Sequence, residues 1–203
     1  PILQENGIPD DFKYLAVIES GLTHVTSPAG AEGFWQFMPQ TARDYGLEVN
    51  GDIDERLHLI KSTESAAAYL SDAYGEFGNW TLAAAAYNAG VQRIKTSLEE
   101  QQTNSYYNLF LNEETSRYMY RMLATKLIFE SPESYGFLIP KAQTYPFPKT
   151  KLVKVSTSPI DWVAFAQSQN MSYADLREMN PWIKGYQLSI RNNSEYEVRV
   201  LVD

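Results

Sequence analysis

Pro9-Asp10-Asp11-Phe12-Lys13-Tyr14-Leu15-Ala16-Val17-Ile18-Glu19-Ser20-Gly21 opens on a helix start and closes on a helix stop. Proline suits the first turn, the two aspartates suit the positive end of the helix dipole, and glycine is the common residue past a helix end. At about 100° per residue, Phe12, Leu15, Ala16 and Glu19 share one face. That face is otherwise apolar, and glutamate is rarely buried without a partner or a purpose. Burial disfavours the charged carboxylate and raises its pKa, so such a group can hold a proton near neutral pH and donate it. That is the job a glycosidase asks of its general acid. The plainer reading puts Glu19 at a wet helix end or beside an arginine.

Outward from this stretch, the first 130 residues read as helices. Residues 61–77 carry Ala66, Ala67, Tyr69, Leu70, Ala73, Tyr74 and Phe77 at three- and four-residue spacings, and Thr81–Ala89 is an alanine-rich helix closed by Gly90. Residues 113–130 start on two acids, as a helix should. Prolines 140, 146 and 148 then break all regularity. Beyond them come a strand at Leu152–Val155, helical stretches at Asp161–Gln169 and Tyr173–Met179, and a closing strand at Tyr196–Val202. The expected organisation is mainly α: a helical domain over 1–131, a Pro-rich linker or wrapping segment over 132–150, and a small β-α-α-β module over 151–203.

Composition narrows the function. The 203 residues are 44% hydrophobic and 21% charged, enough apolar content for a core and enough charge for solubility. The 25 acids outnumber the 17 bases, giving −8, all of it within residues 1–150. Nucleic acid is therefore excluded as the main partner, because phosphate binding needs clustered cations. Without cysteine there are no disulfides, thiol catalysis or thiolate metal sites, and two histidines leave little for a metal. No cofactor is called for. No apolar run approaches the roughly 18 residues of a membrane span. Starting at Pro1 without Met or a signal sequence, the chain reads as a mature form or an excised fragment. Aromatic residues, at 13%, fit stacking on sugar rings and core packing alike.

Four blocks carry a family resemblance: Glu19-Ser20; Ser27-Pro28-Ala29-Gly30-Ala31-Glu32-Gly33-Phe34-Trp35-Gln36; Ala86-Tyr87-Asn88-Ala89-Gly90; and Glu114-Thr115-Ser116-Arg117-Tyr118. In this order they resemble the lytic transglycosylases of the goose-type lysozyme-like superfamily, which cleave bacterial peptidoglycan. The resemblance implies a lysozyme-like helical catalytic domain in which Glu19 alone is acid and base. It would protonate the glycosidic oxygen, then accept a proton from the C6 hydroxyl of the same muramyl sugar, leaving a 1,6-anhydro end. By the same resemblance, Ser27, Gln36, Met38, Tyr87, Asn88, Glu114 and Tyr118 line the substrate cleft, with the Tyr87 hydroxyl orienting the Glu19 carboxyl. Glycan strands are the implied partner. The implied location is the bacterial envelope, periplasmic or held at a membrane by an upstream lipid anchor.

Each of these residues also has a plainer reading. Ser27 sits in an ordinary Ser-Pro turn, Gly30 and Gly33 bracket a tight loop, and Trp35 reads equally as a stacking platform or a packing residue. Glu32 and Asp44 are candidates for a second carboxylate or simple surface charges. The loop between Glu-Ser and Ser27 is one residue shorter than the family's, and His24 in it reads as an exposed polar residue. Residues 152–202 resemble a LysM carbohydrate-binding module, including Asn180-Pro181, although Thr157-Ser158-Pro159-Ile160-Asp161 replaces the Gly-Asp-Thr turn. The alternatives are a hydrolytic lysozyme, a catalytically silent peptidoglycan-binding protein and, for the module, a structural cap.

Overall fold

The helix that carries Glu19 is preceded by a short 3-10 turn, Asp10–Phe12, and occupies Lys13–Ser20 (α2). Gly21 ends it in the left-handed region at φ 61°, where its amide reaches back to the Val17 carbonyl. A computed structural model describes residues 1–140, 144–189 and 195–202. Parts of the Pro-rich segment (141–143) and of the C-terminal module (190–194 and 203) lie outside the described residues. The remaining helices of the first lobe are α1 (Ile2–Glu5), α3 (Pro39–Asp44), α4 (Leu59–Phe77), α5 (Trp80–Ala89), α6 (Val91–Glu100) and α7 (Glu113–Glu130). Among the described residues, no helix is long and apolar enough to cross a membrane.

α5 is the centre of this lobe. Asn79 caps it by accepting from the amides of Thr81 and Leu82, and Leu82 through Ala86 are all buried. A helix with alanines on every side lets neighbours approach closely, and α4, α6 and α7 all pack against it. α2 lies against α7, which brings Glu19 towards the first turns of α7. Gly90 closes α5 as expected, but at φ 89° and ψ 141° it also begins α6. α1, α3 and α6 add to the sequence reading. α1 spans about one turn and α3 less than two, and α6 fully buries only Ile94.

The C-terminal segment pairs β1 (Thr150–Val155) antiparallel with β4 (Tyr196–Leu201), with Thr150 opposite Leu201 and Val155 opposite Tyr196. Between them lie β2 (Ile160–Asp161), α8 (Trp162–Ser168), α9 (Tyr173–Met179) and β3 (Gln187–Leu188), with β2 and β3 forming a two-residue ladder. Asp161 caps α8 through Val163 and Ala164. Buried Asn180 ties α9 to β4, donating to the carbonyls of Leu176 and Arg199 and accepting from the Arg199 amide.

Among the described residues, two hydrophobic cores result, one in the helical lobe and one around Trp162, Leu176, Ile183, Val198 and Val200. The second also contains Ile53 and Leu57, which belong to the first lobe in sequence. Ile53 forms a β-bridge with Ile183, the Asp54 amide donates to Trp182 O at 2.9 Å, and the Lys184 amide donates to Asp52 O at 2.8 Å. The Tyr196 hydroxyl donates to Glu48 at 2.8 Å. The module is thus docked on residues 48–57 through both backbone and core.

Candidate active site

α2 holds Glu19 one turn beyond the buried Leu15 and Ala16, leaving its carboxyl half-buried. Burial is the main cause that pushes the Glu19 pKa above the usual carboxylate range. The Tyr118 hydroxyl, on the facing side of α7, donates to Glu19 Oε1 at 2.5 Å and opposes that rise. Nearby charges act in both directions, Arg121 lowering the pKa and Glu114 raising it. Tyr118 is only 1% exposed. Burial and the charge of Glu19 hold its own pKa well above the ordinary tyrosine value, so it remains a donor.

The geometry differs from the expectation for Tyr87. Its hydroxyl donates to the Trp35 carbonyl at 2.7 Å, so the hydrogen bond that orients the Glu19 carboxyl comes from Tyr118. Tyr87 stands edge-on to Trp35, Phe37 and Tyr69, and the carbonyl captures its hydroxyl first. It still feels Glu19, whose charge helps raise its pKa. Asn88 and Glu114 do come together: Asn88 Nδ2 donates to Glu114 Oε1 at 3.2 Å, and Asn88 Oδ1 accepts from Thr115 at 2.8 Å.

Ser27, Gln36 and Met38 lie on the loop that follows α2, and no hydrogen bond joins them to Glu19 among the described residues. Ser27 closes a turn, its hydroxyl oxygen accepting from the Ala31 amide at 3.0 Å. Gln36 adopts φ 50° and spends its side-chain amide on the carbonyls of Val25 and Gly33. Met38 is 42% exposed. Trp35 is a packing residue, buried with its indole N–H on Thr63. Glu32 is no solvated charge: it accepts from Thr26 and lies 3.8 Å from the Arg56 guanidinium. Asp44 takes a hydrogen bond from Gln40 on the exposed side of α3. His24 is exposed, with its ring against Phe34.

Ser20 fastens this loop beside Glu19, its hydroxyl in reach of both the Ala16 and the Phe34 carbonyls at 3.0 Å. The sequence reading missed Arg121, which donates to the Ile18 carbonyl at 3.0 Å. With Glu113, Glu114 and Arg117 it lines an open cavity of about 460 Å³. Its signal was the spacing of Glu114, Tyr118 and Arg121, which shares one face of α7.

Residues 3–110 match the family described as the Transglycosylase SLT domain, and residues 151–201 match the Soluble lytic transglycosylase C-terminal LysM-like domain. The chain is 31% identical over 190 residues to membrane-bound lytic murein transglycosylase D of Escherichia coli strain K12. That match covers 90% of this chain and 41% of the relative, so the chain spans about two fifths of the length of the curated relatives it matches. Among solved structures it is similar to an inactive Glu-to-Gln mutant of the lytic transglycosylase Slt of Pseudomonas aeruginosa. The TM-score is 0.52 at 25% identity, over 66% of this chain and 23% of that one. The 70 kDa soluble lytic transglycosylase of Escherichia coli also matches with a TM-score of 0.52, at 27% identity over 65% of this chain and 24% of its own. Glu19 and the helices α2 to α6 thus fall within the matched region, with α7 following it, and the chain belongs to the Transglycosylase SLT domain family.

Proposed function

We propose that this chain is a peptidoglycan lytic transglycosylase, cleaving the β-1,4 bond between N-acetylmuramic acid and N-acetylglucosamine with Glu19 as its single acid and base. The observation that carries the reading is the half-buried Glu19 carboxyl, raised in pKa and held at Oε1 by Tyr118. With Oε1 occupied, Oε2 presents the proton to the glycosidic oxygen as the C1–O bond breaks. The carboxylate so formed then accepts the proton of the C6 hydroxyl as O6 bonds to C1. Glu19 ends protonated as it began, no water is consumed, and the product is a 1,6-anhydro-muramyl end. On this reading Ser27, Gln36, Met38, Tyr87, Asn88 and Glu114 line or brace the cleft. The name of the curated relative, membrane-bound lytic murein transglycosylase D, favours peptidoglycan as substrate and the bacterial envelope as location.

A second reading rests on Glu114, an acid close enough to raise the pKa of Glu19. Were Glu114 to activate water, the enzyme would be a hydrolase of the two-carboxylate kind. Product mass separates the two.

The pH profile tests Glu19 as the proton donor. Activity through a protonated acid is lost as pH rises through its pKa. Tyr118→Phe removes a hydrogen bond that lowers the Glu19 pKa, so the alkaline limb of kcat/KM should move to higher pH. Loss of that charge-assisted bond should also reduce kcat about 10- to 100-fold. Glu114→Gln removes a negative neighbour, so its alkaline limb should move to lower pH. Limbs that shift in the same direction, or not at all, would remove Glu19 from the role of acid.

A further inference from the structure

Asp54, Glu55 and Arg56 form a run of charges in one short loop, yet they are only 3%, 4% and 6% exposed. Buried charge is costly unless each group is paired and hydrogen-bonded. Glu55 meets this condition through the Glu48 amide and an ion pair with Lys61. Arg56 meets it with an unusual division of its donors. Its Nε and Nη2 fork onto Asp54 at 2.9 and 2.7 Å, while Nη1 donates to the carbonyls of Gly30 at 2.8 Å and Phe37 at 3.0 Å. Those carbonyls stand on either side of the stretch that contains Gly33, Phe34, Trp35 and Gln36.

That stretch is fastened to the active site by two further bonds, Ser20 to Phe34 O beside Glu19 and Tyr87 to Trp35 O. On its other side, the Asp54 that orients Arg56 is bonded through its amide to Trp182 O of the C-terminal module. Its neighbour Ile53 is bridged to Ile183, and both side chains are fully buried in the module's core. A continuous path of short contacts therefore runs from the module, through Asp54 and Arg56, to the loop beside Glu19.

We propose that Arg56 is a positioning residue for the Glu19 site, and that docking of the C-terminal module on residues 52–54 sets it in place. The module then acts on the chemistry through the loop it braces, whatever glycan it also touches. The proposal rests on Glu19 being the acid. A lysine is a point charge with three donors and cannot fork onto a carboxylate while also spanning two carbonyls. Releasing either end of the 30–37 loop moves the acceptors that hold Ser20 and Tyr87, and misplacement by about 1 Å can cost about 100-fold in rate.

The test uses the whole chain with soluble glycan strands, measuring kcat, KM and amide hydrogen exchange for the wild type, Arg56→Lys and Ile183→Ala. Arg56→Lys should lower kcat about 10- to 100-fold while KM changes less than about threefold, because the acid is misplaced while the cleft residues outside the 30–37 loop, Asn88 and Glu114 among them, are kept. Ile183→Ala, remote from the cleft, should raise exchange at the Gly33 and Gln36 amides about tenfold or more by loosening the brace. A folded Arg56→Lys variant with wild-type kcat overturns the proposal. So does an Ile183→Ala variant whose module amides exchange faster while those of Gly33 and Gln36 stay protected, and this second result decides the matter if Arg56→Lys does not fold. Should the wild type show no turnover, or Glu19→Gln retain it, the functional reading fails, while the exchange result still decides the coupling.

Discussion

Glu19→Gln is expected to lower glycan cleavage about 10²- to 10⁴-fold, the usual contribution of a positioned general acid, while leaving the fold in place. The amide has the size of the carboxyl, and its carbonyl oxygen can still accept from Tyr118, but it has no proton to give the glycosidic oxygen. Stability should respond in a direction opposite to activity. Because burial raises the Glu19 pKa in the folded state, the native protein binds more protons than the unfolded chain between the ordinary and the raised value. Stability therefore falls as pH rises through that window. Glu19→Gln abolishes this loss, so its melting temperature relative to the wild type should be more favourable at pH 8 than at pH 4. Strand-release rates read by chromatography and melting followed by circular dichroism check both halves. A variant that loses stability at pH 8 along with activity would make Glu19 a structural residue.

Gly33→Ala is expected to be among the most damaging single substitutions in the loop. Gly33 sits at φ +80°, and an added Cβ would lie 2.1 Å from the Arg56 carbonyl oxygen and 2.9 Å from its carbon. The contact is with backbone, so no side chain can swing aside. Left-handed strain and overpacking together cost about 3–5 kcal/mol. For a chain of this size that corresponds to a fall in Tm of about 10 °C. Gly30→Ala is the matched control: φ is +88°, but nothing lies within 4 Å of the added carbon. Only backbone strain remains there, about 1–2 kcal/mol, and a fall of about 4 °C. Equal losses at the two positions would mean that the Arg56 backbone does not press on the loop as described.

The main helices were legible because their signals are local. Gly21 and Gly78 end α2 and α4 in the left-handed region, and Pro9 with its two aspartates marks the approach to α2. α6 escaped notice because its apolar stripe is short, only Val91, Ile94 and Leu98, of which Ile94 alone is fully buried. β2 and β3 are two residues each and owe their pairing to distant partners, Ile160 lying opposite Leu188, 28 positions away. At the site, Glu19 could be singled out because its partners Phe12, Leu15 and Ala16 lie within two helical turns. Which tyrosine meets it could not be read, since Tyr87 and Tyr118 both stand on helices facing the centre and the choice depends on where the Trp35 carbonyl falls. Arg56 was hidden for the same reason. Asp-Glu-Arg in a polar stretch resembles solvated charge until Gly30, Phe37 and Trp182 close around it.

The most direct test of the central claim is the mass of muropeptides released from purified sacculi by the wild type and by Glu19→Gln. Transfer to the sugar's own C6 hydroxyl predicts fragments one water lighter than hydrolysis products, formed by the wild type and missing with the variant. Full-mass reducing ends from the wild type would contradict the account and point to water activated at a second carboxylate, for which Glu114 is the candidate.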